Sequence, residues 1–273
     1  MTNTELSPEQ HIHHHRHPGY SFAIHPRQRW YGLIGVPILA VVVAYIVINP
    51  VEAPGHVSLS TLLGASVLSI LRLVAAYVLA LALSLPLALL INRSTLTERI
   101  LLPAFDILQS VPVLAFFPVV IIFFVQYHFL EGAAVFIIFI NMLWNLVFSI
   151  VGGLRLIPGD VHSAAKLFGI RRGHYLRYVL IPSVFPYLVT GSLLAWAEGW
   201  NMLIVAEVLH TYLPGATESS DLFGIGSVMV HASSHGQGNM FIGAILVMIG
   251  AIAIMNVFVW QKLLHYSERY RFE

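Results

Sequence analysis

Long uncharged runs separated by short polar stretches set the plan of this chain. Trp30 to Ile48 carries no charge and, at about 1.5 Å per residue, is long enough to cross a bilayer. Asn49-Pro50 ends it. Thr61 to Ile91 is a longer helical run, interrupted only by Arg72 and Pro86 and stopped by Asn92-Arg93. Within it Arg72, Ala76, Ala80, Ser84 and Ala88 recur every fourth residue, a small-residue stripe suited to close helix packing in a membrane. Ile107 to Val125 is a third span, where Pro112 and Pro118 predict a kink. Gly132 to Leu154, Ser183 to Leu209 and Phe241 to Trp260 are the fourth, fifth and sixth. The polar segment 210–239 holds Gly224-Ile225-Gly226 and enough apolar residues for one short interfacial helix. The pattern predicts an all-α polytopic membrane protein with six transmembrane helices.

Composition agrees. Hydrophobic residues make up 58% and charged residues 10%, against about half and a quarter in soluble domains. There is no cysteine, which excludes disulfides, thiolate metal sites and a cysteine nucleophile. Residues 1–29 are hydrophilic and include H-I-H-H-H-R-H at 11–17. Without an apolar period they read as a disordered tail, with a metal-binding or regulatory tract as the alternative. They contain no apolar h-region, so they do not read as a cleavable signal peptide. The plan is therefore a tail (1–29), a membrane domain (30–262) and a charged tail (263–273).

Charge placement orients these spans. Thirteen of the fourteen Lys and Arg lie in the N-terminal tail, the 92–99 turn, the 155–177 loop and the C-terminal tail; the remaining one is Arg72. The opposite loops, 49–60, 126–131 and 210–239, hold none. By the positive-inside rule the basic side is cytoplasmic, with both termini on it.

No phosphate-binding loop G-x-x-x-x-G-K-[ST], no H-E-x-x-H and no G-x-S-x-G occurs, so hydrolysis of ATP, peptide or ester is not expected, and no metal site is assigned. Ionisable groups inside spans cost about 2.5–3.5 kcal/mol at a helix centre and therefore mark places of interest. Glu198 and Glu207, nine residues apart, fall on roughly opposite faces of the fifth span. Glu198 shares a face with Asn201, and Glu207 shares one with Trp200. Glu207 reads either as hydrogen-bonded to a helix end or to the 210–239 loop, or as a wall of the outer mouth. Glu198 reads as a pathway group or a subunit-interface hydrogen bond. Asn141, Asn145 and Ser149 form a polar stripe at i, i+4, i+8, for interhelical hydrogen bonds or for an aqueous path. Arg72 reads as a snorkelling or loop-binding arginine, with a solute ligand as the alternative.

Between the fourth and fifth spans lies Asp160 to Pro182, D-V-H-S-A-A-K-L-F-G-I-R-R-G-H-Y-L-R-Y-V-L-I-P, too polar for lipid. Asp160 is placed to N-cap a short helix, Ala164 and Ala165 give it a small-residue face, and Gly169 reads as its stop. Pro182 reads as the opening of the next helix. Lys166 lies inside the short helix, where it could meet a partner's surface.

This segment resembles the EAA loop of ABC-importer permeases: Ser163-Ala164-Ala165, then Gly169, then Val179-x-Ile181-Pro182 at the family's spacing. Serine stands where the pattern has Glu, so the reciprocal capping box a Glu would complete is absent. W-N-M-L-I-V-A-E at 200–207 and N-V-F-V-W-Q-K-L-L-H-Y-S-E-R-Y-R from Asn256 are similar to the nitrate/sulfonate/taurine-type branch. The resemblance covers roughly Leu62 to Arg271. It implies a type I ABC importer-like core of five helices plus one N-terminal helix, in the inner (plasma) membrane of a bacterium. It also implies two permease copies, a homodimer by default, a cytoplasmic ABC ATPase dimer holding ATP and Mg, and an extracytoplasmic substrate-binding protein. Asp160, Ser163, Ala164, Ala165, Lys166, Gly169, Ile181 and Pro182, within the coupling loop 155–182, would receive the ATPase. The path candidates are Asn141, Asn145, Ser149, Glu198, Trp200, Asn201, Glu207 and Arg72, and the solute expected from the branch is a small oxyanion or sulfonate. The alternative is a self-contained proton-coupled transporter or channel using Glu198 and Glu207. No cofactor is expected in the chain itself and no nucleic acid as partner.

Overall fold

A computed structural model describes residues 59–212 and 217–270, which form helices and connecting turns with no strand among them. The 1–29 tail and the 30–48 span lie outside the described residues. Eight helices follow in order: α1 (Leu59–Ile91), α2 (Thr95–Ser110), α3 (Val113–Gln126), α4 (Leu130–Arg155), α5 (Gly159–Leu167), α6 (Gly173–Glu207), α7 (Ile225–Ser234) and α8 (Gly238–Tyr270). Among the described residues α1, α4, α6 and α8 are each long and apolar enough to cross a membrane, and α2 with α3 would make a fifth crossing.

The third span is not one kinked helix. α2 and α3 meet at 83°, and the break falls at Val111-Pro112. Val111 sits at φ −77°, ψ 125°, the extended basin a following proline imposes. Pro112, with φ −58°, leads into α3, where its missing N–H would have had no partner anyway. Pro118 lies inside α3 without ending it. α2 starts within the stretch read as a turn: the Ser94 hydroxyl caps it by accepting the Thr97 N–H at 3.1 Å.

α4 is the central helix, packed mainly against α6 and α1. Half of its apolar window is buried, against 17% in α8, so α8 lies at the periphery. On α1 the stripe Arg72, Ala76, Ala80, Ser84 and Ala88 is buried at every position, while Leu63, Val67, Leu71 and Val78 face outward. In lipid apolar burial gives little drive, so close backbone approach along small residues supplies the packing. Gly191 of α6 meets Ser149 of α4 so closely that a Cβ would not fit. Tyr77, Trp196 and Trp260 join α1, α6 and α8 with ring centroids 5.8–6.4 Å apart, and Tyr77 donates to Ser192 Oγ at 2.7 Å.

Pro182 lies in the first turn of the regular α-winding that starts at Ile181, as expected, but the helix does not begin there. α6 runs on from Gly173, and a π turn over Leu176–Leu180 ends just before Ile181. The Ile181 N–H reaches back to the Leu176 carbonyl. Pro182 removes the donor that an α-helix would offer the Tyr178 carbonyl, and the wider turn accommodates the defect.

Candidate functional site

At one end of the bundle Arg72, buried in α1, is surrounded by acceptors from three other parts of the chain. Its Nε and Nη2 grip the two oxygens of Glu131, in the first turn of α4, at 2.6 and 2.7 Å. Its Nη1 donates to Glu207 Oε1 at 2.7 Å and to the Phe223 carbonyl at 3.1 Å. The paired donors fit the planar fork of arginine, which lysine could not match.

Glu207, the last residue of α6, is fully enclosed. Besides Arg72, Ser69 Oγ donates to its Oε1 at 2.5 Å, and the Gly226 N–H donates to its Oε2 at 2.7 Å. The Ile225 N–H bonds Ser69 Oγ at 2.9 Å, so of the first free N–H groups of α7, where its dipole is positive, one meets this carboxylate directly and one meets the hydroxyl that donates to it. The approach depends on glycine: a Cβ at Gly226 would lie 2.6 Å from Ile204 Cα. The backbone closes the arrangement, with the Leu222 N–H on the Glu207 carbonyl at 3.0 Å. One guanidinium, two carboxylates and a helix start thus tie α1, α4, α6 and α7 together. Chemically this is a saturated ionic lock, with only Glu131 half-exposed.

The other path candidates lie elsewhere. Trp200 is buried, on the Glu207 side of α6, whereas Glu198 and Asn201 are exposed on the opposite side. Asn141, Asn145 and Ser149 are half-buried along α4 facing α6. Asn141 Nδ2 contacts the Glu198 carbonyl at 3.4 Å, and Ser149 lies against Gly191. The structure therefore brings together Arg72 and Glu207, and separately Asn141 and the Glu198 backbone; Glu198 and Glu207 do not meet.

At the far end of α4 and α6 stands α5, which has no extensive packing against any other described helix. Pro158, not Asp160, occupies its cap position; Asp160 lies in the first turn and makes no capping bond there. Helical geometry already begins at Gly159, which places Asp160 two positions inside the cap. Its charge still complements the positive helix start. Ser163 Oγ donates back to the Gly159 carbonyl at 3.1 Å. Gly169 does end the helix, at φ +61°. Its N–H bonds the Lys166 carbonyl and the Ile170 N–H bonds the Ala165 carbonyl, the paired bonds of a Schellman stop. Ala165 is buried, Ala164 half-buried, and Ser163 and Lys166 exposed. Leu167 and Phe168 are 87% and 82% exposed. At α5's base Arg155 pairs with Glu98 of α2. Ile181 is exposed and Pro182 half-buried, on α6 rather than beside α5.

Sequence reasoning did not single out Ser69, Glu131, Leu167 or Phe168. Ser69 could have been found at three residues before Arg72 on one helix face; Glu131 had no local signal. Among the described residues one group has metal-ligand geometry, His210, Asp221 and His231.

Residues 80–264 match the family described as binding-protein-dependent transport system inner membrane component. The chain is 30% identical to the nitrate import permease protein NrtB of Leptolyngbya laminosa over 141 residues, covering 52% of this chain and 50% of that protein. It is 26% identical to the bicarbonate transport system permease protein CmpB of Synechococcus elongatus over 150 residues, 55% and 53% of the two chains. It is 25% identical to the taurine transport system permease protein TauC of Escherichia coli over 141 residues, 52% and 50%. The matches span about half the length of these relatives. With two thirds of its length under one family pattern and several apolar membrane-length helices, the chain belongs to the binding-protein-dependent transport system inner membrane components, as a multi-pass membrane protein similar to nitrate, bicarbonate and taurine permease subunits.

Proposed function

We propose that this chain forms the membrane path of an ATP-driven importer for a small oxyanion or sulfonate, and that α5 couples it to a separate ABC ATPase. The observation that carries the coupling assignment is the bareness of α5. Two large apolar side chains, Leu167 and Phe168, project from a short, well-stopped helix that no other described helix covers. Exposed apolar groups in this setting fit a partner's groove. Lys166 beside them and Asp160 in the first turn add polar contacts, and the small Ala164-Ala165 face permits close approach.

In this reading the basic loops and both termini face the cytosol, the membrane domain runs over 30–262, and the Glu207 end faces outward. Two copies enclose the path. Glu198 and Asn201, exposed on α6 of the single chain, line it, together with Asn141, which contacts the Glu198 carbonyl. The nitrate, bicarbonate and taurine named for the relatives share a compact anionic group with three oxygens, which supports the solute class. The path candidates hold carboxylates and a single cation, Arg72, so selectivity rests mainly with the extracytoplasmic binding protein. ATP-driven closure of the ATPases moves α5 as a rigid lever and swings α4 and α6 between inward- and outward-facing arrangements.

Co-purification from native membranes tests this. The ATPase should accompany the full chain, and deletion of Ala164 and Ala165 or Phe168→Asp should release it. Uptake that proceeds without any ATPase would overturn the proposal in favour of a self-contained, proton-coupled transporter.

A further inference from the structure

Beyond the lock, two imidazoles from separate stretches converge on one carboxylate oxygen. His210 Nδ1 and His231 Nε2 each lie 2.7 Å from Asp221 Oδ2, and the three ligand atoms lie within 4.8 Å of one another. His210 follows the end of α6, Asp221 follows the 3₁₀ turn Glu218–Ser220, and His231 is in the last turn of α7. Asp221 is almost wholly enclosed, whereas the imidazoles are 27% and 29% exposed. The carboxylate is also oriented from behind: its Oδ1 accepts the His210 backbone N–H at 2.8 Å.

We propose that His210, Asp221 and His231 form a binding site for a divalent transition-metal ion of the zinc class. Two imidazoles and one carboxylate make a mixed nitrogen and oxygen donor set, which suits zinc and its first-row neighbours; calcium and magnesium favour all-oxygen shells. Bond lengths of about 2.0–2.2 Å in a tetrahedron separate ligand atoms by roughly 3.3 Å. A shift of well under 1 Å of each ring away from Asp221 would therefore open the site. As ligands the two imidazoles would present ring-nitrogen lone pairs and Asp221 would present Oδ2. The partly exposed rings leave a solvent-facing position for water. The backbone N–H bond on Oδ1 is the kind of outer contact that fixes a ligating group.

Its place in the fold says what the ion would do. α7 begins against Glu207, through Gly226, and ends with His231. His210 stands three residues after Glu207, and Asp221 precedes Leu222, whose N–H bonds the Glu207 carbonyl. An ion here pins the second end of α7 to the same segment that the lock holds at the first. It would stiffen this end of the permease without touching the polar face of α6 that carries Glu198. The inference does not depend on the solute or on the ATPase.

The test uses the full chain in lipid nanodiscs with His11, His13, His14, His15 and His17 all replaced by alanine, so that the tail tract does not contribute. Titration with Zn²⁺ against a chromophoric chelator should give one equivalent per chain, and Co²⁺ should give a visible d–d band. His210→Gln, His231→Gln or Asp221→Asn should weaken binding by more than the roughly 10–100-fold that loss of an outer-shell partner causes. Because a variant may fail to fold, protection is read on the unaltered site as well: Zn²⁺ should shield His210 and His231, but not His265, from diethyl pyrocarbonate, as measured by peptide mass spectrometry. No equivalent bound, binding unchanged by His210→Gln, or no shielding would each overturn the site and leave a hydrogen-bonded His–Asp–His cluster.

Discussion

The two ends of α4 and α6 are built on opposite principles. At the Glu207 end, charges that lipid would penalise are matched internally: Arg72 has Glu131, Glu207 and the Phe223 carbonyl, and Glu207 has Ser69 and the start of α7. At the α5 end, Leu167 and Phe168 stand bare and the charges of Asp160 and Lys166 are exposed. One end is complete within the chain. The other has the character of half an interface, and its stability and its purpose are therefore separable.

Substitutions should separate them. Arg72→Leu should have the largest effect on stability, about 3–5 kcal/mol, because it leaves Glu207 enclosed without its cation; thermal unfolding in detergent and the yield of folded protein measure it. Arg72→Lys should recover only part of this, since an ammonium cannot supply the fork to Glu131. Next comes Gly226→Ala, about 1–3 kcal/mol, from the collision of the new methyl with the Ile204 backbone. Its signature is faster hydrogen exchange confined to α7 and 208–224. Gly169→Ala should cost about 1–2 kcal/mol locally, for a side chain at positive φ, with little change in the global melting point but weaker ATPase capture. Phe168→Asp should shift the melting point least, within about 0.5 kcal/mol, yet abolish ATPase association. If Phe168→Asp destabilised the chain as much as Arg72→Leu, the contrast between the two ends would be lost.

The apolar periods made α1, α4, α6 and α8 legible, and the four-residue stripe on α1 located a packing face that is buried throughout. Such features are local, repeated and visible in composition. What escaped depended on geometry at single residues or on distant pairing. Val111-Pro112 reads from sequence as a kink, but nothing in it sets an angle of 83°. Asp160 is the better capping residue by chemistry, yet Pro158 sits at the cap because helical backbone starts two residues sooner. Arg72 and Glu207 were each identifiable as costly groups; their union spans 135 positions and could not be read from spacing. His210, Asp221 and His231 were hidden likewise, because no short motif joins them. Leu167 and Phe168 read as ordinary apolar residues until the fold left them uncovered.

The π turn at Leu176–Leu180 bears on how this permease can change length. Such a turn holds one residue more than an α-helical path needs, so loss of a single residue there can be absorbed by reverting to regular winding. The same deletion farther along, near Ala195, would rotate everything beyond it by roughly 100° and carry Glu207 away from Gly226. Insertions and deletions tolerated by this helix should accordingly collect just ahead of Pro182, where the rod has a slack link, and be lost from the stretch that follows.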